Sequence, residues 1–402
     1  EEPVAACRIC RGFCFGAIRS AQECGLTHGA FRQKLWHQKY CCDQRPFALP
    51  GAHFDLCAGV PVYLPRQIIN SACISECRLC QPCDGQQLAA SAQCRPAAPF
   101  LNNPSFRASQ KFPADVDPAS AAAYAQYQGA DYSHDLLTEE ALWWVRTHAA
   151  DPFFLYLPYT IPHLALQVPE DSLAEYAGEF EETPYRGAQG YLPHRAPRSA
   201  YAAMITRLDR DVGRLRALLE ELGLANDTLL LFTSDNGASW TGGTDLEFFQ
   251  SNGALRGRKA QLWEGGIRVP LIAHWPGKFA AGTVSGFSSF FPDLLPTLCE
   301  VAGIAVPQAV DGISLLPALR GEVFVRTESR PLYYEFEGGQ ALRVGDWKLI
   351  RPGAEGAYQL YDLAADPSET QDLALQHPER VIEMSTRLNA EHLDSPLFPL
   401  HQ

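Results

Sequence analysis

Met204-Ile-Thr-Arg-Leu-Asp-Arg-Asp-Val-Gly-Arg-Leu-Arg-Ala-Leu-Leu-Glu-Glu-Leu-Gly-Leu-Ala-Asn-Asp-Thr-Leu-Leu-Leu-Phe-Thr-Ser-Asp-Asn-Gly237 reads as a helix, a turn and a strand that ends in polar residues. From about Pro197 to Leu222, the apolar residues Met204, Ile205, Leu208, Val212, Leu215, Leu219 and Leu222 fall on one helical face. Gly223 stands where a left-handed residue ends a helix. Asn226-Asp227 then predicts a turn into Thr228–Thr233, a continuous apolar run of the kind that is buried on both faces of a sheet. Upstream, Thr138–Arg146 has a short helical pattern with Glu139 and Glu140 in its first turn, where the helix dipole favours carboxylates. Pro152–Leu157 repeats the buried-strand pattern, and Val269–His274 is a further apolar strand. Strand, helix, strand in this order predicts an α/β fold, with a largely parallel sheet and helices on its faces.

Toward the C-terminus the pattern changes. Tyr333–Phe336, Gln340–Val344, Trp347–Arg351 and Tyr358–Leu363 are short strands between Gly-containing turns, which predicts an antiparallel meander. A helix is expected from about Pro378 to Glu391, and a domain boundary near residues 318–330. Residues 1–103 form a segment of different character. All cysteines except Cys299 lie between Cys7 and Cys94, and neither a helical period nor a long strand alternation is visible there. The first Met is Met204, so the chain is expected to begin inside a longer reading frame or after processing.

The 402 residues are 46% hydrophobic and 20% charged, an ordinary globular composition. A net charge of −13 argues against a nucleic-acid surface, and no apolar run is long enough to cross a membrane. Any cationic site must therefore be local.

In open sheets of this class, ligand chemistry sits beyond the carboxyl ends of the strands. Two such ends carry polar residues. Tyr159-Thr-Ile-Pro-His163 follows the first strand, and Ser234-Asp-Asn-Gly237 follows the second. Asp235 and Asn236 offer the hard oxygens that Ca²⁺ or Mg²⁺ takes, although the tetrapeptide alone reads first as an Asx turn. His163 alone reads first as a packed loop residue. Lys259 lies in the glycine-flanked stretch Leu255-Arg-Gly-Arg-Lys-Ala-Gln-Leu-Trp-Glu-Gly-Gly266, where a lysine can meet an oxyanion as a point charge.

The ordered series is Pro162-His163, Tyr201–Asp209, Thr233–Gly237, Arg256–Lys259, Trp263–Pro270, Asp311–Pro317, Gly345–Ile350 and Leu360–Glu369. Over about residues 104–402 it closely resembles the sulfatase family, in the arylsulfatase-like branch of the alkaline-phosphatase superfamily. The resemblance implies an alkaline-phosphatase-like sheet with flanking helices over residues 104–320. A small C-terminal α+β domain with an antiparallel sheet follows over 321–402. It also implies metal-dependent hydrolysis of a small-molecule or glycan sulfate ester, with no nucleic-acid or membrane partner, in a periplasmic, secreted or lysosomal setting. Asp235 and Asn236 match the family's Ca²⁺ ligands, Lys259 its sulfate-binding lysine, and His163 the histidine that contacts the sulfate or leaving-group oxygen.

The family's nucleophile is a formylglycine made from the Cys of a C-x-P-S-R motif. No Cys in this chain has that context, and Cys94-Arg-Pro-Ala-Ala98 comes nearest. The N-terminal Asp-Asp pair and the Gly-Lys-Trp segment of the family are missing as well. Cys7-x2-Cys10-x3-Cys14 and Cys73-x3-Cys77-x2-Cys80-x2-Cys83 have spacings compatible with a metal module. The favoured reading is frameshifted translation: moving Phe31–Trp36 by one nucleotide can restore a Phe-Gly-Lys-x-x-Gly pattern. The expectation is a sulfatase that is truncated or inactive as written. The alternatives are a non-catalytic sulfatase-like protein and a phosphatase or phosphodiesterase of the same superfamily.

Overall fold

The computed structural model describes residues 112–118, 120–327, 330–395 and 400, and the backbone of strands at 13–19, 54–57, 60–62 and 100–101. Four strands make the main sheet: β1 (Phe13–Arg19), β2 (Phe154–Pro158), β3 (Thr228–Ser234) and β4 (Leu271–His274), in the order β2-β1-β3-β4. The β2 and β3 strands run in the same direction, but each pairs antiparallel with the β1 between them, and β4 pairs antiparallel with β3. The parallel pairing expected from the strand–helix–strand order is thus corrected. That order fixes the relative direction of β2 and β3 and says nothing about a strand inserted between them.

The inserted strand comes from the Cys-rich segment, where no long strand alternation is visible in the sequence. The proposed cysteine metal modules lie outside the described residues, apart from the backbone of Cys14. Among the described residues, no group of three or more His, Cys, Asp or Glu could hold a metal.

Helices cover both faces of the sheet. On one face, α1 (Ser133–Thr147) and α2 (Pro197–Glu221) bury Leu137, Ala141, Trp144, Met204, Leu208, Leu215 and Leu219 against Leu155 and Leu157 of β2 and Leu230 of β3. On the other, Leu229 and Leu231 of β3 pack with Trp275 and with Leu294 and Leu298 of α3 (Leu294–Ala302). Alternate residues of β3 therefore serve opposite cores, which is why the run Leu229-Leu-Leu231 is apolar throughout. Each fully buried Leu contributes roughly 1.5–3 kcal/mol.

Three local expectations need correction. The α1 helix starts at Ser133 rather than Thr138, so Asp135 occupies its first turn in place of Glu139 and Glu140. Ile205, placed on the buried stripe of α2, is 41% exposed, while Ala200, Ala203 and Leu218 complete the stripe instead. The β4 strand is shorter than Val269–His274 and lies at the edge of the described sheet, with Ile272 56% exposed.

The C-terminal meander forms as expected. Strands β5 (Leu332–Phe336), β6 (Gly339–Val344), β7 (Trp347–Arg351) and β8 (Gln359–Asp362) pair consecutively and antiparallel. On one face Leu342, Leu349 and Leu360 pack on Met384 and Leu388 of α4 (Pro378–Glu391). On the other, Ala341, Ile350 and Tyr361 pack on Leu262, with Trp263 and Ile267 alongside. The meander thus rests directly on the loop that carries Lys259.

Candidate active site

The strand register fixes where the site residues leave the sheet. Pro158 of β2 and Thr233 of β3 both face Cys14 of β1. Two inter-strand spacings then separate the two carboxyl ends, about 10 Å. The loops bearing His163 and Asp235-Asn236 emerge from the same end of the sheet, next but one to each other.

Beyond β3 the chain turns within three residues. The Ser234 hydroxyl donates to Asn236 O at 3.1 Å, and the Asn236 side-chain amide donates to Gly237 O at 3.1 Å. With its amide nitrogen so engaged, Asn236 has its side-chain oxygen to offer a cation. Gly237 N–H donates to Gly266 O at 2.9 Å, and a Cβ on Gly237 would lie 1.9 Å from Gly265 O. Only glycine allows the two backbones this close.

The second loop is bound to the first through the backbone. Lys259 N–H donates to Ala238 O at 3.0 Å, and Gly265 N–H donates to Arg256 O at 2.7 Å. Asn252 joins them from the side: its oxygen accepts from Ala238 N–H at 3.3 Å, and its nitrogen donates to Gly257 O at 2.7 Å. The structure therefore brings Asp235, Asn236 and Lys259 onto adjacent loops, with Lys259 8% exposed.

His163 stands on the neighbouring loop. Its Nδ1 lies 2.6 Å from Leu164 O, and its ring meets Tyr191 edge-on at 6.2 Å. A carbonyl only accepts, so Nδ1 carries the proton and Nε2 is the ring atom able to exchange one. The connection to the Asp235 loop runs through Leu164, which packs so closely on Gly242 that an added Cβ there would meet Leu164 Cδ2 at 2.7 Å.

Sequence reasoning left two supports unassigned. Behind the His163 loop, the Tyr159 hydroxyl lies 2.9 Å from Thr138 Oγ1, which donates to Asp211 at 3.0 Å. Asp211 also pairs with buried His134 at 2.9 Å and with Arg214 at 3.0 Å. Burial raises the Asp211 carboxyl, but the hydrogen bonds from His134, Arg214 and Thr138 together hold it below the usual range. Behind the Lys259 loop, fully buried Lys348 of β7 bridges Glu264 at 2.8 Å and Glu369 at 2.9 Å, and Glu369 accepts the Glu264 N–H at 2.6 Å. Glu264, Lys348 and Glu369 sit within motifs visible in the sequence, but nothing local signals their meeting.

Residues 88–304 match the family model "Sulfatase", and residues 258–394 match "N-sulphoglucosamine sulphohydrolase, C-terminal". The chain belongs to the sulfatase family. Steryl-sulfatase of Mus musculus is 34% identical over 293 residues, covering 63% of this chain and 43% of that protein. N-acetylgalactosamine-6-O-sulfatase of Bacteroides thetaiotaomicron is 30% identical over 278 residues, covering 64% and 50%. The chain thus spans about half the length, or less, of these curated relatives. The solved structure of Ps i-CgsB in complex with k-i-k-neocarrahexaose superposes with a TM-score of 0.56 at 28% identity, covering 65% of this chain and 55% of that one.

Proposed function

We propose that this chain binds a sulfate monoester at the mouth of the main sheet, in the site where the family hydrolyses such esters. Asp235 and Asn236 would hold a Ca²⁺ ion, and Lys259 and His163 would contact the sulfate. The observation that supports this reading is the backbone bond from Lys259 N–H to Ala238 O, which ties the loop of a largely buried lysine to the loop that carries Asp235 and Asn236. Lys259 meets a sulfate oxygen as a point charge in a partly dry site, where such a charge counts most. His163 keeps a proton on Nδ1 and presents Nε2 to the ester oxygen, where it can deliver a proton to the departing alcohol.

A metal ion is a general feature of the family. Asp235 and Asn236 would hold one side of it, two of the six to eight oxygens that Ca²⁺ typically takes. When bound, it supplies Lewis-acid polarisation and a template for the sulfate. No Cys here is followed by x-Pro-Ser-Arg, which favours binding without turnover. The names of the relatives span sterol and amino-sugar sulfates, so the substrate class is a sulfated small molecule or glycan. The family's tendency places such a protein in a periplasmic, secreted or lysosomal compartment, and no described helix is long and apolar enough to cross a membrane.

Calorimetric titration of the whole chain with sodium sulfate in calcium buffer tests the reading. Lys259→Ala is expected to weaken sulfate by roughly tenfold, and Asp235→Ala to remove the calcium heat. Sulfate binding untouched by Lys259→Ala would refute the assignment. Nitrophenyl sulfate hydrolysis that disappears on Cys94→Ala would refute the absence of turnover.

A further inference from the structure

Two residues on the same pair of loops remain without a role. Trp240 lies two residues beyond Ala238 and is 37% exposed, whereas Lys259 is 8% exposed. Arg258, immediately before Lys259, holds its guanidinium carbon 4.2 Å from the centre of the Trp240 ring. Three other arginines stacked on aromatic rings are tied to carboxylates, Arg198 to Asp245, Arg207 to Asp135 and Arg326 to Asp293, whereas Arg256, on the same loop as Arg258, stacks on Trp263 and donates to the Tyr361 hydroxyl and to Glu369 O. Arg258 pairs with no carboxylate among the described residues, in a chain whose net charge is −13. The loop under Trp240 is pinned: Ser239 Oγ lies 3.2 Å from Thr241 Oγ1, the Thr244 hydroxyl donates to Thr241 O at 2.7 Å, and Gly242 N–H donates to Gln189 at 2.7 Å. The loop around the indole is therefore fixed, and the indole itself is partly exposed.

We infer that Trp240 and Arg258 form the leaving-group subsite and select a sulfate ester carried on an anionic sugar ring. This rests on the sulfate reading of Lys259. With sulfate seated at the buried lysine, the rest of the ester has to extend toward solvent, across the lips of these two loops. An exposed indole offers the apolar face of a sugar ring a surface to stack on. A guanidinium without an acidic partner offers a second anion, such as a uronate or another sulfate, a bidentate contact. An uncharged sterol or aryl group could use the indole and would gain nothing from the arginine.

Calorimetry on the whole chain in calcium buffer uses three probes: sodium sulfate, N-acetylgalactosamine 6-sulfate, and the 6-sulfated disaccharide that adds a uronate. Trp240→Ala is expected to weaken both sugars about fivefold and to leave sulfate unchanged. Arg258→Gln is expected to weaken the uronate disaccharide roughly tenfold, with the monosaccharide and sulfate moved less than about twofold. Parent-like binding of the disaccharide by both variants overturns the subsite. Equal weakening of both sugars by Arg258→Gln overturns its selectivity for charge. If the parent binds the disaccharide through Trp240 and Arg258 but Lys259→Ala changes nothing, the subsite stands and the sulfate reading falls. A parent that binds none of the three probes refutes both.

Discussion

Gly237 shows how one missing side chain shapes a site. It follows Asp235 and Asn236, and its backbone presses on the Gly265-Gly266 turn, closer than any Cβ tolerates. Gly237→Ala must push these loops apart. The expected outcome is a loss of about 1–3 kcal/mol in stability together with weaker calcium and sulfate binding, read by urea denaturation and calorimetry. Unchanged ligand affinity at reduced stability would show that the approach serves packing alone. A second residue governs the response to acid. Burial, and then the adjacent Arg195 charge, lower the His194 imidazole from 6.5 to about 4. The unfolded chain therefore binds a proton that the folded chain refuses between those values. The corresponding stability is complete above about pH 6.5 and is lost as pH falls through about 4, roughly 3 kcal/mol in all. Nδ1 of His194 accepts from Ala196 N–H at 3.1 Å, a bond that the oxygen of glutamine can replace. His194→Gln should accordingly flatten the stability profile between pH 4 and 6.5, measured as the urea midpoint at several pH values. An unaltered slope would mean that other groups set it.

At the scale of elements, legibility followed locality. The helix Pro378–Glu391 was read to its end residues, and the meander strands to within two, because their turns and apolar alternation are written in adjacent residues. The start of α1 was read five residues late because it is decided elsewhere: Asp135 is held by Arg207 and His134 by Asp211, both on α2. Helical spacing placed Ile205 on the buried stripe but could not reveal that the neighbouring elements stop short of it. The candidate site divides in the same way. Asp235, Asn236 and Lys259 could be singled out as polar residues in loops after strands, whereas Trp240 with Arg258, and Glu264 with Lys348, acquire meaning only through contacts across the chain. The end of α2 was legible and carries its own test. Gly223 adopts φ +70°, with its N–H bonded to Glu220 O and the Leu224 N–H to Leu219 O, a Schellman cap. Gly223→Ala is expected to cost about 1 kcal/mol, read from the denaturation midpoint, with no change in sulfate affinity. A neutral result would place the helix end elsewhere in solution.

Across the whole molecule, a buried charge helps to tie the meander to the loops beyond the main sheet. Lys348 enters from β7 and satisfies Glu264 and Glu369 together, and Arg343 approaches Glu264 at 3.8 Å from β6. Burial raises the Glu369 carboxyl while Lys348 pulls it down, so the lysine is what allows the two acids to share one dry space. Glu264 opens the turn whose next two residues meet Gly237 and Arg256. A disturbance at Lys348 therefore has a short path to Asp235, Asn236 and Lys259. Lys348→Met, close in volume but without charge, strands the two acids and should cost about 3–5 kcal/mol. Loss of stability alone would not reveal the path, so a matched variant is needed. Met384→Ala opens a cavity on the opposite face of the same meander, at a comparable cost of about 2–5 kcal/mol. Where both variants remain folded, Lys348→Met should weaken sulfate by roughly tenfold, while Met384→Ala should bind it as the parent does. Calorimetry at a temperature well below both unfolding midpoints reads the difference. Equal sulfate affinity in the two variants would make the meander a source of stability only, and the Lys348 bridge no part of how the site is held.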